Sequence, residues 1–182
     1  YVSMDRNRDV EDMCIGAGPK NGINYVYLSD TGDNAQVYKE YYIYRFEEPK
    51  LGQSKIDSYE VLPFTYPNGA SYDGETIMQD PKTKDLYIIT KREFNVKVFR
   101  LKYPQSTVSV EAEYLGAIPF AGITGGDISA NGDEILIKNY YAVNYFKLKS
   151  TESIYQALAR GQDLSLTYVQ ETQGEAIGWS TD

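Results

Sequence analysis

The feature that most constrains this 182-residue chain is a strand-turn-strand unit that returns three times and begins a fourth. Each return opens with an acidic residue running into a short apolar stretch: Glu11-Asp12-Met13, Glu75-Thr76-Ile77, Asp127-Ile128-Ser129 and Glu175-Ala176-Ile177. The four acids are separated by 64, 52 and 48 residues, the size of a propeller blade with loop insertions. A polar turn then leads to a second apolar run, as in Lys20-Asn21-Gly22 before Tyr25-Val26-Tyr27-Leu28, Asp80-Pro81-Lys82 before Leu86-Tyr87-Ile88-Ile89, and Asn131-Gly132 before Ile135-Leu136-Ile137. Glycine after asparagine supplies the positive φ of a tight hairpin.

A third run sets a basic residue among aromatic and aliphatic ones: Tyr44-Arg45-Phe46, Val98-Phe99-Arg100 and Tyr145-Phe146-Lys147. Pro49 and Pro104 end the first two, because proline cannot donate to a ladder. A fourth, alternating run closes each unit at 59–62, 110–115 and 164–169. Eighteen tyrosines and an aromatic content of 14% suit pleated strands. These patterns predict an all-β chain, a β-propeller segment of three four-stranded blades over 9–64, 73–120 and 123–170, with the first strand of a further blade at 174–179. A sandwich or barrel is the plainer alternative. One short helix is expected in the third unit, capped by Ser150 or Thr151, with Ile154, Tyr155 and Leu158 facing inward and Gly161 ending it.

In a propeller the residues entering first strands and those joining second to third strands meet at one end of a central channel. That geometry gathers Glu11, Glu75, Asp127 and Glu175 with Asp30, Asp33, Asn34, Lys91, Arg92 and Asn139. Converging carboxylates repel one another and lose hydration, so a bound cation, protonation or neighbouring cations must offset them. Hard oxygen donors suit calcium better than zinc or copper. The candidate metal set is Glu11, Asp33, Asn34, Glu75, Asp127 and Glu175; Asp30, Lys91, Arg92 and Asn139 are candidate ligand-binding residues. An ion-pair network built on Lys91, Arg92 and Lys138, with Asp30 and Asn34 capping a turn about Gly32, explains the same residues without a metal.

Taken together, Asp9-Val10-Glu11-Asp12, Asp30-Thr31-Gly32-Asp33-Asn34, Asp73-Gly74-Glu75, Thr124-Gly125-Gly126-Asp127-Ile128-Ser129 and Gln173-Gly174-Glu175-Ala176 resemble a widespread β-propeller family with DWED, GDIGDN, DAEA, TGGDIS and QGEA signatures in that order. Val10 stands where that family has tryptophan, and Ser29 and Thr31 depart from its second motif. The resemblance implies a larger propeller, with acidic motifs around the channel and blades on either side of this segment. More distantly it is similar to calcium-dependent lactonases, phosphotriesterases and phytase-like propellers.

Composition narrows the chemistry. With no histidine, the chain itself supplies no imidazole acid, base or metal ligand, and one cysteine forms no internal disulfide. A net charge of −8 opposes nucleic acid and anionic membranes as partners, and no apolar stretch reaches bilayer length. The expected function is a binding or structural propeller holding calcium or a small ligand. The alternative is a calcium-dependent hydrolase of an ester, lactone or phosphate, with Glu75 or Asp33 as base or nucleophile. Open sheet faces imply further blades, from the same precursor or from other protein chains, and calcium at millimolar levels implies an extracellular setting.

Overall fold

The computed structural model describes residue 4 and residues 6–180. It is nearly all β, in three antiparallel sheets that follow one another along the chain. Sheet 1 contains β1 (Asp12–Ala17), β2 (Asn24–Asp30), β3 (Tyr41–Glu47) and β4 (Glu60–Thr65) in sequence order. Sheet 2 contains β5 (Gly74–Gln79), β6 (Leu86–Thr90), β7 (Lys97–Leu101) and β9 (Glu113–Ala117), and sheet 3 contains β10 (Ile123–Ile128), β11 (Glu134–Asn139), β12 (Val143–Lys147) and β13 (Leu164–Leu166).

The expected run at 110–115 divides. Residues Val110–Glu111 form β8, which pairs in parallel with β4 as a fifth strand of sheet 1, while β9 pairs with β7. Ala112, buried between them and donating its N–H to Thr65 O at 2.9 Å, marks the crossing from one sheet to the other.

Alternation explains why the middle sheet reads as unbroken apolar sequence. Ile77, Leu86, Ile88, Phe99 and Leu101 face sheet 1, where Tyr27, Tyr41, Ile43, Leu62, Phe64 and Tyr66 meet them. Met78, Tyr87, Ile89 and Val98 face sheet 3 and pack on Ile123, Ile135, Ile137 and Phe146. Both faces of sheet 2 are therefore core, and period two cannot appear as polar alternation. Sheet 1 is covered on its other face too, where Val26, Tyr42, Tyr44 and Phe46 are buried, so that only the β1 end of that face, Met13 and Ile15, is exposed; on sheet 3 Leu164 and Leu166 of β13 are exposed.

The helix is α1 (Ile154–Ala159), and its cap is Ser153 rather than Ser150 or Thr151. Ser153 accepts from Gln156 N while the Gln156 side chain accepts from Ser153 N, a reciprocal arrangement that an earlier serine or threonine cannot make. Gly161 follows at φ 91°, as the pattern predicts. Residues 174–179 are not a strand. A strand needs a ladder, and no second strand follows among the described residues to supply one.

Candidate functional site

The first strands of the three sheets pack side by side, β1 on β5 and β5 on β10. The junction of β1 with β5 brings together three carboxylates from two sheets. Glu11 precedes β1, Asp73 precedes β5 and Glu75 lies within it, and one oxygen of each falls within 4.8 Å of the others. Gly32 lets the β2–β3 connection approach: a Cβ there would lie 2.3 Å from Glu11 Oε1 and 2.7 Å from Asp9 Cβ.

Two cations border the cluster. Lys91 Nζ lies 2.9 Å from Glu75 Oε2 and 3.9 Å from Glu175 Oε1. Arg92 Nε donates to Asp73 Oδ2 at 2.5 Å, and its Nη2 donates to Asn34 Oδ1. Asn34 Nδ2 in turn donates to Asp9 Oδ2 at 3.0 Å. Glu175 accepts from Tyr140 OH at 2.7 Å, and so sits beyond Lys91, outside the three-carboxylate group.

Several expected residues serve the framework. Asp33 accepts from Val37 N, Tyr38 N and Tyr41 OH at 3.0, 2.8 and 2.8 Å, which uses both oxygens to fold its own loop. Asp30 Oδ1 accepts from Arg8 N and Asp9 N at 3.0 and 2.8 Å and fixes the approach to β1. Asn139 Oδ1 accepts from Tyr141 N and Ala142 N, both at 2.9 Å.

Asp127 corresponds in role to Asp12 rather than to Glu11. Asp12 Oδ1 accepts from Met13 N at 2.8 Å and Oδ2 from Ile77 N at 3.0 Å. Asp127 Oδ1 likewise accepts from Ile128 N at 2.9 Å and Oδ2 from Trp179 N at 2.9 Å. Both carboxylates tie a first strand to the chain segment that follows it in space. A shift of one residue turns a strand side chain to the opposite face, so Asp127 is carried away from the cluster. Asp73 and Asp9 join the site without having been in the candidate set. Their signal was the Asp-Val-Glu and Asp-Gly-Glu spacing, which puts two acids on one side of an extended segment.

Burial, then the charges of Glu75 and Asp9, raise the Glu11 carboxyl from its ordinary 4.5 to about 8. Burial also raises Glu75, with the Lys91 ammonium opposing it. Asp12 is raised by burial to about 7, against the pull of its backbone donors. Between the ordinary carboxyl range and these raised values the folded state holds protons that the unfolded chain has released. Stability from these groups is therefore fully present below about pH 4 and is lost progressively as pH rises to about 7 to 8. Thermal melts in chelator are expected to give a lower midpoint at pH 8 than at pH 5; a midpoint that rises over that interval would contradict the assignment.

The three carboxylates are hard oxygen donors of the kind a calcium ion takes, but Asp73 Oδ1 and Oδ2 already accept from Asp33 N and Arg92 Nε and Glu75 Oε2 faces Lys91, so a cation would have to displace these partners. Lys91 has Glu175 and the Tyr140 ring, 5.5 Å from its Nζ, as alternative neighbours when Glu75 turns to a metal. No protein-family model matches the sequence, and a search of curated proteins returned no match.

Proposed function

We propose that the chain is a segment of a β-propeller that binds a hard divalent cation, calcium first, at an acidic channel mouth, in a binding or structural role. The observation that carries this reading is the convergence of Glu11, Asp73 and Glu75 oxygens within 4.8 Å from two successive sheets. Support for the propeller comes from the repetition of a four-stranded antiparallel meander three times, with first strands innermost and adjacent. The exposed Met13, Ile15, Leu164 and Leu166 then face further blades, supplied by the same precursor or by other protein chains.

A binding role is favoured over hydrolysis because the carboxylates suited to act as base or nucleophile are engaged. Asp33 accepts three hydrogen bonds, and Glu75, once turned from Lys91, is committed to the cation. A site of weak carboxylate ligands works where calcium is millimolar, so we propose an extracellular setting.

Calcium at a hundredfold excess over its Kd is expected to raise the midpoint of thermal unfolding by about 5–10 °C at pH 8, reversed by EDTA. The response should shrink at pH 5, since the metal must displace the Glu11 proton. Glu11→Gln combined with Glu75→Gln should abolish it while the protein stays folded. An unchanged midpoint at pH 8 with millimolar calcium would remove the cation from this reading.

A further inference from the structure

We propose that Asn21-Gly22, in the turn joining β1 to β2, is a site of self-modification at which the asparagine converts to aspartate and isoaspartate by way of a succinimide ring. This goes beyond cation binding, and it needs neither the carboxylate cluster nor a metal.

The sequence holds three Asn-Gly pairs, at 21–22, 68–69 and 131–132. Glycine in second place opens the route because no Cβ shields its nitrogen. At the first pair, hydroxide takes the proton of the Gly22 backbone nitrogen, which then attacks Asn21 Cγ. The N–Cγ bond forms, the Cγ–Nδ2 bond breaks, and Nδ2 leaves as ammonia with a proton from water, which returns the hydroxide. Water next adds to either ring carbonyl and breaks its bond to the ring nitrogen. Opening at Cγ gives aspartate; opening at the Asn21 main-chain carbonyl gives isoaspartate, in which Cβ has become part of the main chain. The sum is one water consumed and one ammonia released.

The fold decides which pair can close that ring, because the side-chain amide and the following nitrogen must turn toward each other. Asn131 and Gly132 are held at both groups. Asn131 Oδ1 accepts from Ser129 Oγ at 2.7 Å, and the buried Gly132 donates its N–H to Ser129 O at 2.7 Å while its carbonyl accepts from Lys82 Nζ at 2.8 Å. Asn68 and Gly69 are exposed but sit in the left-handed region at φ 59° and 64°. Their turn is clasped by Ala70 N donating to Pro67 O at 3.2 Å and by Lys39 Nζ donating to Gly69 O at 2.9 Å.

Neither restraint acts on Asn21. It and Gly22 are exposed, and neither the Asn21 side chain nor the Gly22 N–H has a hydrogen-bond partner among the described residues. The turn's own hydrogen bond, from Ile23 N to Lys20 O, is long at 3.4 Å, and a Cβ built on Gly22 would meet nothing within 4 Å, so the nitrogen has room to swing. The turn follows the end of β1 that lies away from Glu11, and the new carboxylate appears beside Lys20, which is paired with Glu47. The carboxylate cluster is left as it was.

The test holds the 182-residue protein in heavy-oxygen water at mildly alkaline pH, folded and in parallel unfolded in urea, and maps its peptides by mass spectrometry for incorporated oxygen and isoaspartate. In the folded protein Asn21 is expected to convert at least about tenfold faster than Asn68 and Asn131. In urea the three rates should converge, since the local sequence chemistry is then the same. Asn21→Gln keeps an amide but needs a larger ring, and it should remove the signal at this site while the protein melts as the parent does. Conversion of Asn68 or Asn131 at the Asn21 rate in the folded protein overturns the proposal. So does an Asn21 that keeps its amide in the folded protein and loses it in urea. Conversion at Asn21 without any calcium response leaves this site and removes the cation, and the converse result removes only this site.

Discussion

Tyr66→Ala is expected to cost about 3–5 kcal/mol of stability, the range for removing a buried aromatic side chain and leaving a cavity. Tyr66 is fully buried just after β4, between sheets 1 and 2. Its ring meets those of Tyr41, Phe64, Tyr72 and Phe99 at centroid separations of 4.7, 5.4, 5.1 and 4.5 Å. Four rings from both sheets therefore lose a shared neighbour, and close packing lets them collapse only partly into the space. The hydroxyl adds nothing to this: Tyr66 OH is buried without a hydrogen-bond partner among the described residues. Tyr66→Phe should accordingly be neutral or stabilising, since it deletes an unsatisfied polar atom while keeping the ring. Urea unfolding of both variants checks the pair of expectations. A Tyr66→Phe variant as damaged as Tyr66→Ala would show that the hydroxyl has a partner and that this account of the cluster is wrong.

Asp33→Ala is expected to be comparably severe, at about 3–5 kcal/mol, because one truncation removes the buried charged acceptor of three donors, one of them, Tyr41 OH, itself buried. The two backbone donors, Val37 N and Tyr38 N, hold the β2–β3 connection, and the third, Tyr41 OH, anchors that connection to the core. Asp33 N also donates to Asp73 Oδ1 at 2.6 Å, which links this connection to a member of the carboxylate cluster. The substitution should therefore weaken the calcium response as well as the fold. Asp33→Asn keeps the shape and one acceptor oxygen and should cost about 1–2 kcal/mol. Denaturant midpoints separate the two. An Asp33→Ala protein of parental stability would mean that the connection is held by other contacts.

These two residues mark what the sequence made visible and what it hid. Strand order within each unit, the hairpin turns and the acids entering first strands were legible because each rests on local chemistry: apolar runs, positive-φ glycines and spacing. Tyr66 was not legible, since it follows a strand and gains its importance from a ring cluster that Tyr41 and Phe99, distant in the chain, complete around the nearby Phe64 and Tyr72. Asp33 was legible as a functional type but not in its task. An aspartate in a turn reads alike whether its oxygens bind a metal or the loop's own N–H groups, and only the count of donors around it decides. Glu11 and Glu75 could be paired by their positions in the repeat. Asp127 does not differ in sequence pattern from that group, because one residue of slip in the repeat reverses the face of the strand.

The parallel pairing of β8 with β4 bears on how the protein is made. Phe64 and Thr65 on the outer edge of sheet 1 find their partners in Val110 and Glu111, which belong to the connection leading to the last strand of sheet 2. During synthesis the first sheet is therefore complete in sequence but open along that edge until residues 66–111 have also emerged. An open edge is a template for pairing with another chain, and emergence at ribosomal speed leaves it uncovered for seconds. The interval in which nascent chains are most prone to associate is thus set by the length of sheet 2, and shortening the 102–109 connection so that β8 cannot reach β4 should make that vulnerability permanent.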